Sequence, residues 1–153
     1  EKDMTDYLTK VSAKTLTVSE SNKISALYSN LSDIQRVGEL AENITKYTKK
    51  SVENGLIFSP SVMVELNEML SKIKDMSALT SIVISSGKVD VVKTVEEIEE
   101  EVDGLRKLLV KEHLDRLNKG ECRAESSGVF INLVSNLERA ADHIDYVAHS
   151  VTV

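Results

Sequence analysis

Acidic residues spaced four apart stand directly beside the apolar positions of two long segments predicted to be helices. A step of one residue turns about 100° around a helix, so each acidic side chain lies at the edge of the stripe that becomes buried. Carboxylates at this spacing repel one another, and the cost rises near an apolar core. Facing pairs from two helices would together supply four oxygen ligands to a cation. The side chains concerned are Glu99 and Asp103 in one segment and Glu138, Asp142, Asp145 and His149 in the other.

A solvated helix face is the alternative explanation of the same pattern. Acidic residues that flank a buried stripe usually face water, and residues 96–101 hold five glutamates among six residues. A lone helical histidine such as His113 is typical of a surface, and Cys122 follows a helix stop and indicates no chemistry. Nearby basic residues could neutralise the acids without a metal: Arg106, Lys107 and Arg139.

Five amphipathic segments with short connections predict the elements that would position these side chains. Their apolar residues recur three and four positions apart, which is the period of one helical face. Local signals bound them, among them the helix stop Asn54-Gly55 and the helix start Ser59-Pro60. Ile82-Val83-Ile84 favours a strand by propensity, yet it stays in phase with a helical stripe, which predicts a helix. The predicted helices cover residues 3–17, 20–50, 61–86, 90–119 and 124–151.

The apolar stripes predict the core of an all-α, antiparallel helical bundle. In the second helix the stripe is Ile24, Leu27, Leu31, Ile34, Ala41 and Ile44. In the third it is Val62, Leu66, Met69, Ile73, Met76 and Val83. In the fourth it is Val91, Val95, Ile98, Val102, Leu105 and Leu109, and beyond these it shifts to Leu114 and Leu117. In the last it is Phe130, Val134, Leu137, Ala141, Ile144, Ala148 and Val151.

The composition supports such a bundle and argues against several other classes of protein. Hydrophobic residues make up 41% of the 153 residues, and aromatic residues only 4%. The formal net charge of −6 argues against a nucleic-acid partner, because phosphate favours a basic surface. The single cysteine, Cys122, excludes an internal disulfide, and no apolar run approaches the roughly 18 residues of a membrane span. The opening residues resemble the middle of a helix and not a signal peptide, so we expect a segment of a larger protein.

Two parts of the chain show an internal repeat. Residues 27–44 and 130–147 align without gaps at an offset of 103 positions, which places Glu39 over Asp142. Few of the aligned residues are identical, but polar, small and apolar positions correspond one to one. This correspondence indicates a duplicated helical unit, with chance similarity between two amphipathic helices as the alternative.

An acidic signature occurs once in each copy of this repeat. The stretch Asn136-Leu-Glu-Arg-Ala-Ala-Asp-His143 contains E-R-x-x-D-H, and Asp33-Ile-Gln-Arg-Val-Gly-Glu39 is a weaker version of it. Both resemble the signature of the PhoU family of phosphate-uptake regulators, whose members are two three-helix bundles in tandem. In that register residues 56–153 form a complete second bundle. Residues 1–55 form two helices of a first bundle that lacks its opening helix.

The resemblance also implies a function and a cofactor. PhoU-like domains act without catalysis in phosphate uptake and its regulation, and some members bind iron or zinc clusters through E(D)-x-x-x-D pairs. The first bundle departs from that pattern, since Gln35 replaces one acid and leaves Glu39 alone. At most one complete metal site is therefore expected. The positions of this chain that match the pairs are Glu99, Asp103, Glu138 and Asp142.

A further similarity concerns the cellular setting. The stretch His113-Leu-Asp-Arg-Leu-Asn-Lys-Gly-Glu-Cys122 resembles the cytoplasmic tail of bacterial sodium/phosphate cotransporters. This implies a soluble domain of an integral membrane protein, on the cytoplasmic side of the cell membrane. Its partner would be the membrane-spanning part of the transporter or a signalling protein.

Three alternatives stand beside this interpretation. The chain could be a stand-alone phosphate-uptake regulator, or a ligand-free structural bundle whose apolar groove is filled by a second copy in a homodimer. A di-metal carboxylate enzyme is disfavoured because that class needs Glu-x-x-His pairs, and the sequence has none.

Overall fold

The computed structural model describes residues 2–56 and 58–150. Within these ranges the protein is built from helices. No strand occurs within those ranges, so the all-α prediction is confirmed. In the same ranges no helix is both long and apolar enough to cross a membrane. A short 3-10 turn, Val89–Val91, leads into the fourth helix. The five helices are α1 (Lys2–Ser12), α2 (Val18–Glu53), α3 (Pro60–Ser86), α4 (Val92–Asn118) and α5 (Ala124–His149).

The break between α1 and α2 comes earlier in the chain than predicted. Thr17 is the N-cap of α2, and its hydroxyl accepts a hydrogen bond of 3.3 Å from the Glu20 amide. The Glu20 carboxylate accepts one of 2.8 Å from the Thr17 amide in return, which completes a capping box. Because α1 ends at Ser12, the predicted helix over 3–17 is too long, and Leu16 belongs to the connection.

The boundaries of α3 follow the local signals. Ser59 caps the helix by accepting a bond of 3.4 Å from the Val62 amide, and Pro60 occupies the first turn. At the other end Gly87 adopts a φ of 67°, a left-handed conformation that favours glycine. The helix is continuous through residues 82–84, which confirms helix there in place of a strand.

The last helix, α5, lies at the centre of the fold and packs on α2, α3 and α4. Its predicted stripe is buried throughout its described part, while Val151 lies outside the described residues. Most of the predicted α3 positions are buried too, and Leu66 is partly buried against the core. The core residues are Val62, Met69, Ile73, Met76, Val95, Val102, Leu109, Phe130, Val134, Leu137, Ala141, Ile144 and Ala148.

The predicted shift of the α4 stripe to Leu114 is wrong. Leu114 is 46% exposed, whereas His113 is 3% exposed. His113 follows Leu109 by four residues and so continues the buried stripe without a shift. Its imidazole is accommodated because it hydrogen-bonds to Ser127 and stacks on Phe130.

The predicted stripe of α2 is only partly buried. Leu27 and Ile34 are 49% and 54% exposed, and Ala41 is exposed as well. The reason is that α2 packs mainly on α5 and on the short α1, so part of its apolar face stays uncovered by the described residues. Val37 and Ile44 pack against the core. The division into two bundles at residue 55 stays a prediction.

One polar link joins α2 to α5 within this interface. His143 Nδ1 lies 2.9 Å from Asp33 Oδ1, and both side chains are about one-fifth exposed. We expect a double-mutant cycle with Asp33→Ala and His143→Ala to give a coupling energy of about 0.5–1.5 kcal/mol. Urea unfolding of the parent, the two single variants and the double variant measures it. Additive losses would show that the contact does not stabilise the interface.

Candidate metal centre

The four carboxylates that match the paired pattern lie along the interface of α4 and α5, close enough to influence one another's charge. Glu99 lies within hydrogen-bonding reach of Asp142, and Glu138 interacts with both Asp142 and Asp103. The two helices run in opposite directions, so the first residue of each pair lies near the second residue of the other pair. Glu99 is therefore near Asp142, and Glu138 is near Asp103. The apolar stripes next to these acids set this register, because they pack in the core between the same two helices.

Glu99 has the most perturbed acidity in this group. Burial, together with Asp142, Asp145 and Asp103, raises its pKa to about 7. A carboxyl group with this pKa holds a proton for much of the time near neutral pH. The side chains of Glu99 and Asp142 therefore share a site that disfavours two negative charges.

Glu138 and Asp145 extend the same electrostatic group along α5. Burial raises the pKa of Glu138, and Asp142 raises it further. Burial also raises the pKa of Asp145, and Glu96 adds to this from α4. The paired pattern does not include Glu96. Its position one turn before Glu99 on the same helix is the sequence signal that could have identified it. The acidic group thus spans about two turns of each helix.

His149 and the two oxygens of Asp145 form the end of the group. His149 Nδ1 lies 3.1 Å from Asp145 Oδ2. Asp145 Oδ1 is buried and accepts no hydrogen bond from the described residues. A buried carboxylate oxygen without a donor is costly, and a cation would satisfy it.

Three basic side chains partly neutralise the cluster, as the solvated-face alternative expects, and one of them is Arg139, which acts to lower the pKa of Glu138. Lys107 Nζ lies 2.6 Å from Asp103 Oδ2 on the same helix, and Arg106 Nε lies 3.5 Å from Glu138 Oε1 across the interface. The acids outnumber these cations, and the raised pKa of Glu138 shows that Arg106 does not offset burial. The cluster remains deficient in positive charge.

The types of side chain in the cluster are suitable metal ligands, but their positions in this structure do not form a metal site. Among the described residues no three His, Cys, Asp or Glu side chains are already placed to hold a metal ion. The donor set nevertheless consists of carboxylates with one imidazole nearby. Carboxylate oxygens suit hard cations such as Mg²⁺, Ca²⁺ and Mn²⁺, and zinc and iron accept both carboxylate and imidazole ligands. A bound cation would take the place of the proton on Glu99 and the missing donor at Asp145.

The weaker candidate Glu39 has its contacts on its own helix. Its carboxylate receives hydrogen bonds from Arg36, at 2.5 Å, and from Gln35, at 2.9 Å. Gln35 stands where the pattern has an acid, and its side-chain amide donates a hydrogen bond to the remaining acid, Glu39. This arrangement favours a structural role for Glu39 over metal binding.

A second polar group at the far end of the α4–α5 pair was missed by the sequence pattern. His113 Nε2 lies 2.8 Å from Ser127 Oγ, and its ring stacks on Phe130 with centroids 4.6 Å apart. Burial, assisted by Arg116, lowers the pKa of His113, so the ring is neutral at physiological pH. The described contacts place no carboxylate behind His113 to orient it as a base, which indicates a structural role.

Comparison with known proteins gives one match. The family model described as PhoU domain matches residues 66–151, which is more than half of the chain. The matched range contains all four paired carboxylates, the whole of α4 and α5 and most of α3. No curated protein and no solved structure matches the chain significantly.

Proposed function

Since this chain belongs to the PhoU family, a regulatory family of phosphate homeostasis, we propose that it is a non-catalytic regulator of phosphate uptake that binds a metal cation. The observation that supports metal binding is the acidic cluster between α4 and α5. There Glu99 and Asp142 come together with too few basic partners. The cation would act by binding the folded bundle and fixing these two helices against each other.

The ligands in this proposal are Glu99, Asp103, Glu138 and Asp142, with Asp145 and His149 at the edge of the site. Iron or zinc is the cofactor that the resemblance implies. When bound, the metal would supply positive charge between the helices. The residues of this chain would hold it, while Lys107 and Arg106 would give up part of their contact with the acids.

We further propose that the domain works on the cytoplasmic side of the membrane, attached to a sodium-dependent phosphate transporter. The resemblance of His113–Cys122 to such transporter tails supports this setting. These residues form the end of α4 and the turn into α5, where Gly120 has a φ of 72°. The partner would be the membrane-spanning part of the transporter or a signalling protein. Phosphate uptake by cells that carry the whole protein with Glu99→Gln and Asp142→Asn would test the link between the site and transport.

Metal binding itself is tested by thermal unfolding. Added Zn²⁺ or Fe²⁺ at about 100 times its dissociation constant should stabilise the protein by about 2.7 kcal/mol and raise its Tm accordingly. The double variant Glu99→Gln, Asp142→Asn should lose this gain, because two of the four oxygen ligands become amides. Glu100→Gln with Asp115→Asn is a matched control, since both side chains are exposed and lie on α4. The control should keep the full gain.

Retention of the metal-dependent rise in Tm by the double variant would falsify the site assignment. A ligand-free bundle is the second candidate function, and the ion pairs Lys107–Asp103 and Arg106–Glu138 favour it. Elemental analysis of protein purified without chelators separates the two. Fully helical protein that contains no metal and gains no stability from it would support the ligand-free bundle.

A further inference from the structure

A cavity, here called the turn cavity, lies where the start of α3 meets the turn between α4 and α5. Its volume is about 420 Å³, which is within the range of small-molecule binding sites. The turn cavity is separate from the acidic cluster. Arg116, which lines it, follows Glu99 on α4 by about five turns, or about 25 Å along the helix axis.

Two arginines give the turn cavity its charge. Arg116 comes from the last turn of α4, and Arg123 is the N-cap residue of α5. The Arg123 side chain is exposed, and its guanidinium forms no ion pair within the described part of the chain. Its charge is therefore available to a ligand.

The guanidinium of Arg116 has weaker acceptors than its burial calls for. Its Nη1 and Nη2 lie 3.4 Å and 3.5 Å from the two carboxylate oxygens of Glu65, beyond the roughly 2.7–2.9 Å of a charge-assisted bond. Its Nη1 also lies 3.7 Å from Glu112. Its Nε is buried and has no acceptor among the described residues. Burial raises the pKa of Glu65 in spite of Arg116, so this ion pair is weak. An oxyanion in the cavity would supply acceptors that the two glutamates supply only in part.

The surroundings of the two arginines favour a negative ligand. Arg123 makes no side-chain capping bond to the first turn of α5, and α3 begins beside the same cavity at Ser59 and Pro60. Both helix starts therefore add partial positive charge. One acid, Glu121, also lines the cavity, and it is exposed. Among the described residues that line the cavity, the two arginines outnumber this single acid.

Apolar side chains form another part of the lining. Phe58, Pro60 and Val62 contribute it around the start of α3. The ring of Phe58 is held in place by its edge contact with Phe130, with centroids 6.0 Å apart. Such a surface suits a flat or apolar group that is attached to the anion.

We propose that the turn cavity binds an organic phosphate, whose phosphate group contacts Arg116 and Arg123 and whose body packs beside Phe58. Guanidinium groups bind phosphate oxygens through paired hydrogen bonds. A phosphate monoester carries nearly two negative charges near neutral pH, which matches two guanidinium groups better than the single charge of a carboxylate does. This site needs no metal, so it adds a second ligand to the proposed regulator and stands apart from the acidic cluster.

Cys122 allows occupancy of the turn cavity to be measured. It lines the cavity, it is partly exposed, and it is the only cysteine of the chain. Its rate of alkylation by N-ethylmaleimide, a neutral reagent, is followed with a chelator present, so that no metal recruits the phosphate. AMP at about ten times its dissociation constant should slow alkylation about tenfold, since the rate falls by the factor 1 + [L]/Kd.

Two further compounds separate the parts of the ligand. Adenosine, which is AMP without its phosphate group, should not protect Cys122 at the same concentration. Inorganic phosphate lacks the organic body and should need a concentration at least about tenfold higher than AMP for half protection.

Three variants test the residues that line the cavity, each through the AMP concentration that gives half protection. Arg123→Gln should raise this concentration at least about tenfold, because a hydrogen bond to a charged group is lost. Glu121→Gln should lower it, because a negative charge leaves the cavity. Lys119→Gln is the matched control: Lys119 is an exposed basic residue at the end of α4 that does not line the cavity, and its variant should bind like the parent.

Circular dichroism shows that each variant is folded, which we expect because these side chains are exposed. Absence of protection by AMP, or unchanged affinity in Arg123→Gln, would overturn the proposal. Equal protection by adenosine would mean that the cavity binds apolar groups without an anion, and would overturn it too. Inorganic phosphate as effective as AMP would overturn the organic part of the ligand. Equal weakening in Lys119→Gln would mean that AMP responds to overall charge and not to this cavity.

Discussion

Replacement of Phe130 by alanine should lower the free energy of unfolding by about 3–5 kcal/mol, the usual cost of truncating a buried aromatic residue. Phe130 is fully buried on α5 and belongs to the main core. Its ring stacks on His113 and meets the edge of Phe58, with centroids 6.0 Å apart in the second contact. The substitution thus opens a cavity where α4, α5 and the segment before α3 meet. Urea denaturation followed by far-UV circular dichroism measures the loss.

Tyr146→Ala provides the control for this prediction. Tyr146 is an aromatic residue on the same helix, but it is 54% exposed. Its removal should cost about 1 kcal/mol or less, because most of its surface is already in water. Equal losses from both substitutions would show that the Phe130 end of the bundle is not part of the cooperative core.

Local patterns predict the helices of this protein well. The α3 stripe is buried or partly buried as expected, and Ser59-Pro60 begins the helix. Such features depend only on neighbours three or four positions away and on short capping motifs, so the chain itself contains the information. The predicted end of α1 lies five residues too late, because an apolar residue, Leu16, continues the pattern beyond the helix.

Contacts between distant segments were harder to predict. Leu27 and Ile34 belong to a regular stripe, yet their exposure depends on whether another helix lies beside α2. The contact between Asp33 and His143 joins residues far apart in the chain and has no local signal. His113 is a polar residue in a core position, which is possible only because Ser127 lies opposite.

The acidic cluster depends both on a local pattern and on contacts between distant segments. The spacing of Glu99 and Asp103 placed them at the edge of a stripe, which is a local property. Their meeting with Asp142 and Glu138 depends on the antiparallel register of α4 and α5, which the stripes only constrain. The approach of Arg106 to Glu138 is equally a product of the register. The spacing therefore identifies the candidate ligands but not how their charges are balanced.

Glu99→Gln should stabilise the metal-free protein at about pH 8 by about 1–2 kcal/mol, and it should have little effect at about pH 4. In the folded protein the pKa of Glu99 is raised to about 7 by burial and by Asp142, Asp145 and Asp103. In the unfolded chain it returns to its ordinary value of 4.5. The full shift would correspond to about 3 kcal/mol, and solvent screening of this partly exposed cluster reduces it.

The direction of the pH dependence follows from proton binding. Between the two pKa values the folded state holds a proton on Glu99 that the unfolded state has released, so the parent loses stability as the pH rises through this window. Glutamine carries no charge at any pH and avoids this loss, so the difference between variant and parent should appear as the pH rises from about 4.5 to about 7. Glu100→Gln, on an exposed position of the same helix, should show no such difference. Unfolding measured with a chelator present gives the comparison at each pH. A Glu99→Gln protein that is less stable than the parent at about pH 8 would mean that the Glu99 carboxylate is stabilised by its surroundings, and that the cluster is not deficient in positive charge.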